Sequence, residues 1–191
     1  MNIAFELDHQ TLVADPRFAG LARTLTALGQ IHSRESFNRY CREACRLWSQ
    51  VHPSGVGETF ARFAELLRRI ERGGDGMIPT PWGGVVIERH EHPVVEKYLV
   101  VRQGGYLALE THAAKDERLE VVEGAGLILS QENANGSLRV LPLAPGDRFH
   151  YQPGEVHCLI GTEDLLVFER STDPKGMDQD LIFIFEPNNA A

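Results

Sequence analysis

The sequence predicts a mainly β protein, a sandwich or barrel of short strands preceded by a helical segment. Two observations carry this. The apolar pattern changes from a spacing of three and four to a spacing of two near residues 73–84. After that point a series of short alternating segments is punctuated by Gly, Pro and Asn clusters at even intervals. The expected organisation is a helical segment over 1–75 and a barrel over 77–191.

The helical part reads as about three helices. Asp15-Pro16 is a helix entry, followed by Phe18, Leu21, Leu25 and Leu28 on one face. Ser33 caps a second helix whose apolar face carries Phe37, Tyr40, Cys41, Ala44, Leu47, Trp48 and Val51. His52-Pro53-Ser54-Gly55 ends it, because proline cannot continue the hydrogen-bond ladder. A third helix is expected from about Glu58 to Arg72, burying Phe60, Phe63, Leu67 and Ile70. Gly73-Gly74-Asp75-Gly76 breaks the pattern. Strands are then expected at 85–90, 95–102, 106–112, 118–123, 126–131, 138–143, 148–152, 156–161, 164–170 and 181–186.

Composition narrows the function classes. A chain of 191 residues with 42% hydrophobic content buries a substantial core. Its net charge of −8 speaks against a nucleic-acid backbone or an anionic membrane as partner, since both reward Lys and Arg. Three cysteines, Cys41, Cys45 and Cys158, fit neither a disulfide framework nor a metal clip. No segment reads as a signal peptide or a bilayer span, so a cytoplasmic setting is expected.

The chemistry concentrates in two glycine-bounded blocks, 105–124 and 146–157. Glu110 and His112 are two apart and share a strand face. Glu117 follows a short turn that returns the chain past that face. His157 opens a strand after the turn at Gly154. Two imidazoles and two carboxylates aimed at one point suit a divalent metal, because two neutral His and two carboxylates balance its charge. A second candidate register, His90-Glu91-His92 with Glu96, competes with this one and ranks below it.

The two blocks resemble the two motifs of the cupin family, a double-stranded β-helix of jelly-roll type. Pro81-Trp82-Gly83, Lys97, the 105–124 block, Gly154-Glu155-Val156-His157, Phe168-Glu169 and the late acidic stretch before Leu181 resemble, in the same order, the cupin domain of type II mannose-6-phosphate isomerases. The resemblance spans about residues 79–186. It implies Glu110, His112, Glu117 and His157 as ligands of zinc, manganese or iron, and a homodimer. It also implies a metal-dependent aldose–ketose isomerase acting on a sugar or sugar derivative; Lys97, where the family keeps a lysine, is the first candidate proton carrier, with His150 or a carboxylate not taken by the metal as the others by strand position. The pattern departs from the family at Glu110 (glutamine there), Lys115 (arginine), Leu119 (tryptophan) and in the lack of an arginine after Leu181. These changes weaken phosphate binding. Two other functions remain open, a non-catalytic sugar or metabolite sensor and an iron-dependent dioxygenase.

Overall fold

A computed structural model of the chain describes residues 3–51, 60–131 and 136–188. Helices α1 (Gln10–Ala14), α2 (Ala19–Thr26), α3 (Arg34–Val51) and α4 (Ala61–Arg72) accompany a short strand β1 (Leu7–Asp8). The strands β2 (Met77–Thr80), β3 (Gly83–Glu91), β4 (Val94–Val101), β5 (Leu109–His112), β6 (Asp116–Gln131), β7 (Leu138–Leu143), β8 (Arg148–Tyr151), β9 (Val156–Thr172) and β10 (Leu181–Phe185) follow. Ser33 caps α3 as expected, its Oγ accepting the Ser36 N–H at 3.1 Å. On α4 the fully buried face is Phe63, Leu66 and Ile70, with Leu67 only partly covered. The expected helix stop at 52–55 and the start of the third helix at Glu58 lie outside the described residues.

Two long, bent strands organise the barrel. Where separate strands were expected at 118–123 and 126–131, and again at 156–161 and 164–170, β6 and β9 run through. They pair with each other twice, 116–124 against 165–172 and 126–131 against 156–161, across register shifts between Val121 and Gly126. At the bend Gly124 has φ +87°, and a Cβ there would lie 1.8 Å from the Asp164 carbonyl oxygen. Only glycine fits that position. One half of β6 and β9 joins β8, β4, β3 and β2; the other half joins β7, β1, β5 and β10. The result is a double-stranded β-helix.

Three apolar clusters fill the space between layers. Inside the barrel, Leu99, Val101, Leu119, Val121, Leu165 and Val167 from one half meet Ile128, Leu143 and Leu159 from the other. Outside, α1 to α3 lie on the face carrying Leu109, Leu127, Leu129, Leu138, Val140, Val156, Cys158 and Ile160. Helix α4 covers Val86, Tyr98, Val100 and Leu166 on the opposite sheet. Strand alternation sorts the residues: in β9, Val156, Cys158 and Ile160 face the helices while His157 and Leu159 face inward. Cys41 and Cys158 are buried in the helix-facing layer, on the opposite side of β9 from His157. No helix is long and apolar enough to cross a membrane among the described residues.

Candidate metal centre

The inward positions of β5, β6 and β9 converge on one point. Glu110 pairs with His157 across β5 and β9. Glu110, His112 and His157 offer three ligand atoms within 4.8 Å of one another. Glu117 Oε2 lies 3.6 Å from His112 Nε2 and 3.4 Å from His157 Nε2. Metal–ligand bonds of about 2.1 Å in a tetrahedral site separate neighbouring ligand atoms by roughly 3.4 Å, so these three atoms are spaced to share one ion. Glu117 Oε2 is buried and accepts no hydrogen bond from the described residues. A buried carboxylate oxygen is costly unless a cation serves it, and the Lys115 ammonium stands 3.5 Å away on one side. Glu110 has no Lys or Arg ion pair among the described residues. Glu110, His112 and His157 thus form a donor set that fits a divalent metal, with Glu117 beside the two imidazoles.

Neighbouring groups aim the imidazoles. His112 Nδ1–H donates to Asp180 Oδ1 at 3.0 Å, leaving Nε2 to face the cluster. Asp180 is itself fixed by the N–H groups of Ala114 and Lys115, at 2.5 and 2.8 Å, and its pKa lies below the usual carboxylate range: burial opposes the charge, but these hydrogen bonds outweigh it. Tyr151 stacks on His157, ring centroids 4.2 Å apart and 16° from parallel. Asp180 was visible in the sequence only as part of an acidic stretch; its role depends on β10 pairing with β5, Leu181 opposite His112.

Beside the cluster lies a second buried network. Lys97 Nζ donates to Asp178 Oδ2 at 2.6 Å and lies 3.3 Å from Glu169. Lys115 Nζ lies 2.8 Å from Glu169, 2.9 Å from Asp178 and 3.5 Å from Glu117. Asp178, a non-glycine residue at φ 55°, is held by its N–H donating to Asp173.

Burial opposes every charge here, and neighbours decide the outcome. Lys97 is raised despite burial, because Glu169 and Asp178 favour the ammonium. Asp178 sits at about 2, where the two lysines overcome its burial. Glu110 rises to about 7 by burial and the nearby Glu117, with His157 pulling the other way. Glu169 is raised by burial and by Glu117, against the pull of both lysines. His112 is lowered by burial and Lys115, whereas His157 is raised because Glu117 outweighs its burial. Glu117 is held well below its ordinary value, as Lys115 and both histidines overcome the burial that opposes its charge.

Two sequence expectations change. Lys97 faces the site, but as a protonated, doubly paired ammonium it is a cation and not a free base. His150 does not reach the site: on β8 Phe149 and Tyr151 turn inward, so His150 points out, 43% exposed and paired with Asp116 at 2.8 Å. The competing register fails for the same kind of reason, since His90, Glu91 and His92 are exposed at the far end of β3 and just beyond it.

A cavity of about 320 Å³ opens onto Glu110, Glu117 and His157 and onto the lysine network. No protein-family model matches this sequence, and no curated protein matches it. Solved structures align with part of it. An uncharacterized Klebsiella pneumoniae protein with a double-stranded β-helix domain aligns over 60% of this chain and 93% of its own, at 15% identity and TM-score 0.44. KdgF from Halomonas sp. covers 52% and 84%, at 22% identity and TM-score 0.45. The L-ribose isomerase of Cellulomonas parahominis covers 56% and 71%, at 16% identity and TM-score 0.47. The strand order itself is that of a double-stranded β-helix. None of these three is a mannose-6-phosphate isomerase, and at such identities the likeness concerns the fold alone.

Proposed function

We propose that this cupin is a metal-dependent isomerase of the aldose–ketose type, moving a proton between adjacent carbons of a small hydroxy-carbonyl compound such as a sugar derivative. One observation carries the reading: a buried carboxyl, Glu169, lines the same cavity as the metal-binding residues and sits between two ammonium groups. A sensor needs no such acid–base pair, and oxygen chemistry at iron does not call for one either. Glu110, His112, Glu117 and His157 would hold a divalent ion, which when bound polarises a carbonyl oxygen. Glu169, its pKa raised by burial, takes the proton from one carbon and returns it to the next. Lys97 and Lys115 remain protonated and steady the negative charge that develops on the substrate oxygens. Asp178 holds both ammonium groups in place.

The test combines metal content with exchange. Protein purified without added metal is expected to carry a stoichiometric divalent ion and to exchange the carbon-2 proton of a hydroxy-carbonyl substrate in deuterated water. Glu169→Gln should keep the metal and lose exchange by about a hundredfold or more. Unchanged exchange in that variant would refute the proton-transfer role. A ligand-induced thermal shift without turnover would favour the sensor, and oxygen consumption with bound iron the dioxygenase.

A further inference from the structure

The cavity is lined unevenly. Most of its polar side chains gather in one group, Glu110, Glu117 and His157 with Lys97, Lys115, Glu169 and Asp178, while Arg34, Thr80 and Glu186 lie apart from it. The rest of the wall is chiefly Trp82, Val85, Leu99, Leu107, Leu119 and Leu159. Leu99, Leu119 and Leu159 belong to the barrel's apolar core, with the other three packed against it.

The backbone behind that wall offers little to a hydroxyl. β3, β4, β6 and β9 each have paired neighbours on both sides. Leu107 spends its N–H on the Leu159 carbonyl and its own carbonyl on the Cys158 thiol. Thr80 adds nothing, since its Oγ1, without a hydrogen-bond partner among the described residues, is buried beneath the wall. Arg34, exposed at the mouth, spends Nε and Nη2 on the carbonyls of Glu186 and Pro187.

We infer that the site takes a short amphipathic 2-hydroxy-carbonyl ligand. Its two adjacent oxygens meet the polar group, and its body is aliphatic or deoxygenated. A chain with a hydroxyl on every carbon would press several of them against leucine side chains, where no partner waits. At about 320 Å³ the cavity is at the small end of the range for ligand sites, roughly 300–1,000 Å³, which keeps the body short. The head-group part of this inference rests on the isomerase reading; the wall chemistry stands apart from it.

Hydroxy acids are stable probes of the same head group. Zinc-loaded full-length protein is titrated calorimetrically with glycolate, 2-hydroxybutanoate and 2-hydroxyhexanoate, then with threonate and gluconate as polyhydroxylated partners of equal length. Affinity is expected to rise about fourfold per methylene along the first series. Each polyol acid should bind at least about tenfold more weakly than its partner. Leu107→Ser, at a half-buried wall position, should narrow that gap; Leu119→Asn should narrow it further if it folds. Equal or tighter binding of gluconate would overturn the inference, as would failure of the 2-hydroxyalkanoates to bind while zinc is retained. Undiminished binding to His157→Ala would instead break the metal-centred reading of the head group, whatever the order of the series.

Discussion

The two faces of the sheet formed by β7, β5 and the 126–131 and 156–161 halves of β6 and β9 solve opposite problems with alternate residues of the same strands. On the outer face Leu127, Leu129, Val156, Cys158 and Ile160 are buried under α1 to α3 in a dry cluster. On the inner face the same strands carry Ile128 and Leu159, and then His157 where another aliphatic residue would complete the core. The contrast separates stability from chemistry. Outer positions hold the helices on, whereas the inner face gives up packing to a cavity and a charged cluster.

The largest effect should come from removing the outer cover. A 77–191 fragment would expose the face that α1 to α3 bury, so it is expected to be insoluble or non-cooperatively folded. A soluble fragment with a sharp thermal transition would show that the inner core suffices, and would break the contrast. Within the full chain, Leu129→Ala on the outer face should cost about 2–5 kcal/mol of stability and leave metal stoichiometry unchanged.

Inner-face changes should do the reverse. His112→Ala and His157→Ala are each expected to strip the metal while the metal-free protein keeps its circular dichroism. Full occupancy in either variant would remove that residue from the ligand set. Asp180→Asn loses only the group that orients His112, so metal affinity should fall about 10–100-fold with the fold intact.

Smaller effects test the helical layer. His9 is buried there, Nε2 beside Tyr40 Oη at 2.9 Å and Nδ1 beside Thr26 Oγ1 at 3.2 Å, and burial lowers its pKa below 6.5 despite Asp8. The unfolded chain therefore binds the His9 proton first as pH falls, so the contribution of His9 to stability should decline below about pH 6.5 and level off once the folded form is protonated too. His9→Asn should flatten that slope in thermal melts between pH 7.5 and 5.5; an unchanged slope assigns it elsewhere. The smallest expected signal is alkylation: burial raises the Cys45 thiol to about 12, and Cys41 and Cys158 are buried as well. Native protein at pH 8 should react with iodoacetamide far more slowly than unfolded protein.

Much of this was legible locally. Period-two alternation located the strands of the barrel, and the spacing of Glu110 and His112 put them on one face, because side-chain parity is a property of the strand itself. Boundaries were less legible. The bends in β6 and β9 looked like gaps, since glycine marks a turn and a bulge alike. Short β1 and β2, with two and four residues, carry too little pattern to be recognised. Parity also explains the error at His150: its strand was found, but the inward choice of Phe149 and Tyr151 decided which way it faced.

By itself, then, the sequence determined a β barrel behind a helical segment and singled out Glu110, His112 and His157, which the fold brings within 4.8 Å of one another. The tertiary structure decided what those residues stand beside. Lys97 became a fixed cation because Glu169 faces it across β4 and β9 and Asp178 arrives from a segment 81 residues away. His112 gained its orienting carboxylate because β10 returns alongside β5. The helices became the cover of an apolar sheet face. Local sequence sets which side a residue takes, but its charge state and its cover depend on groups that only the folded chain brings within a few ångströms.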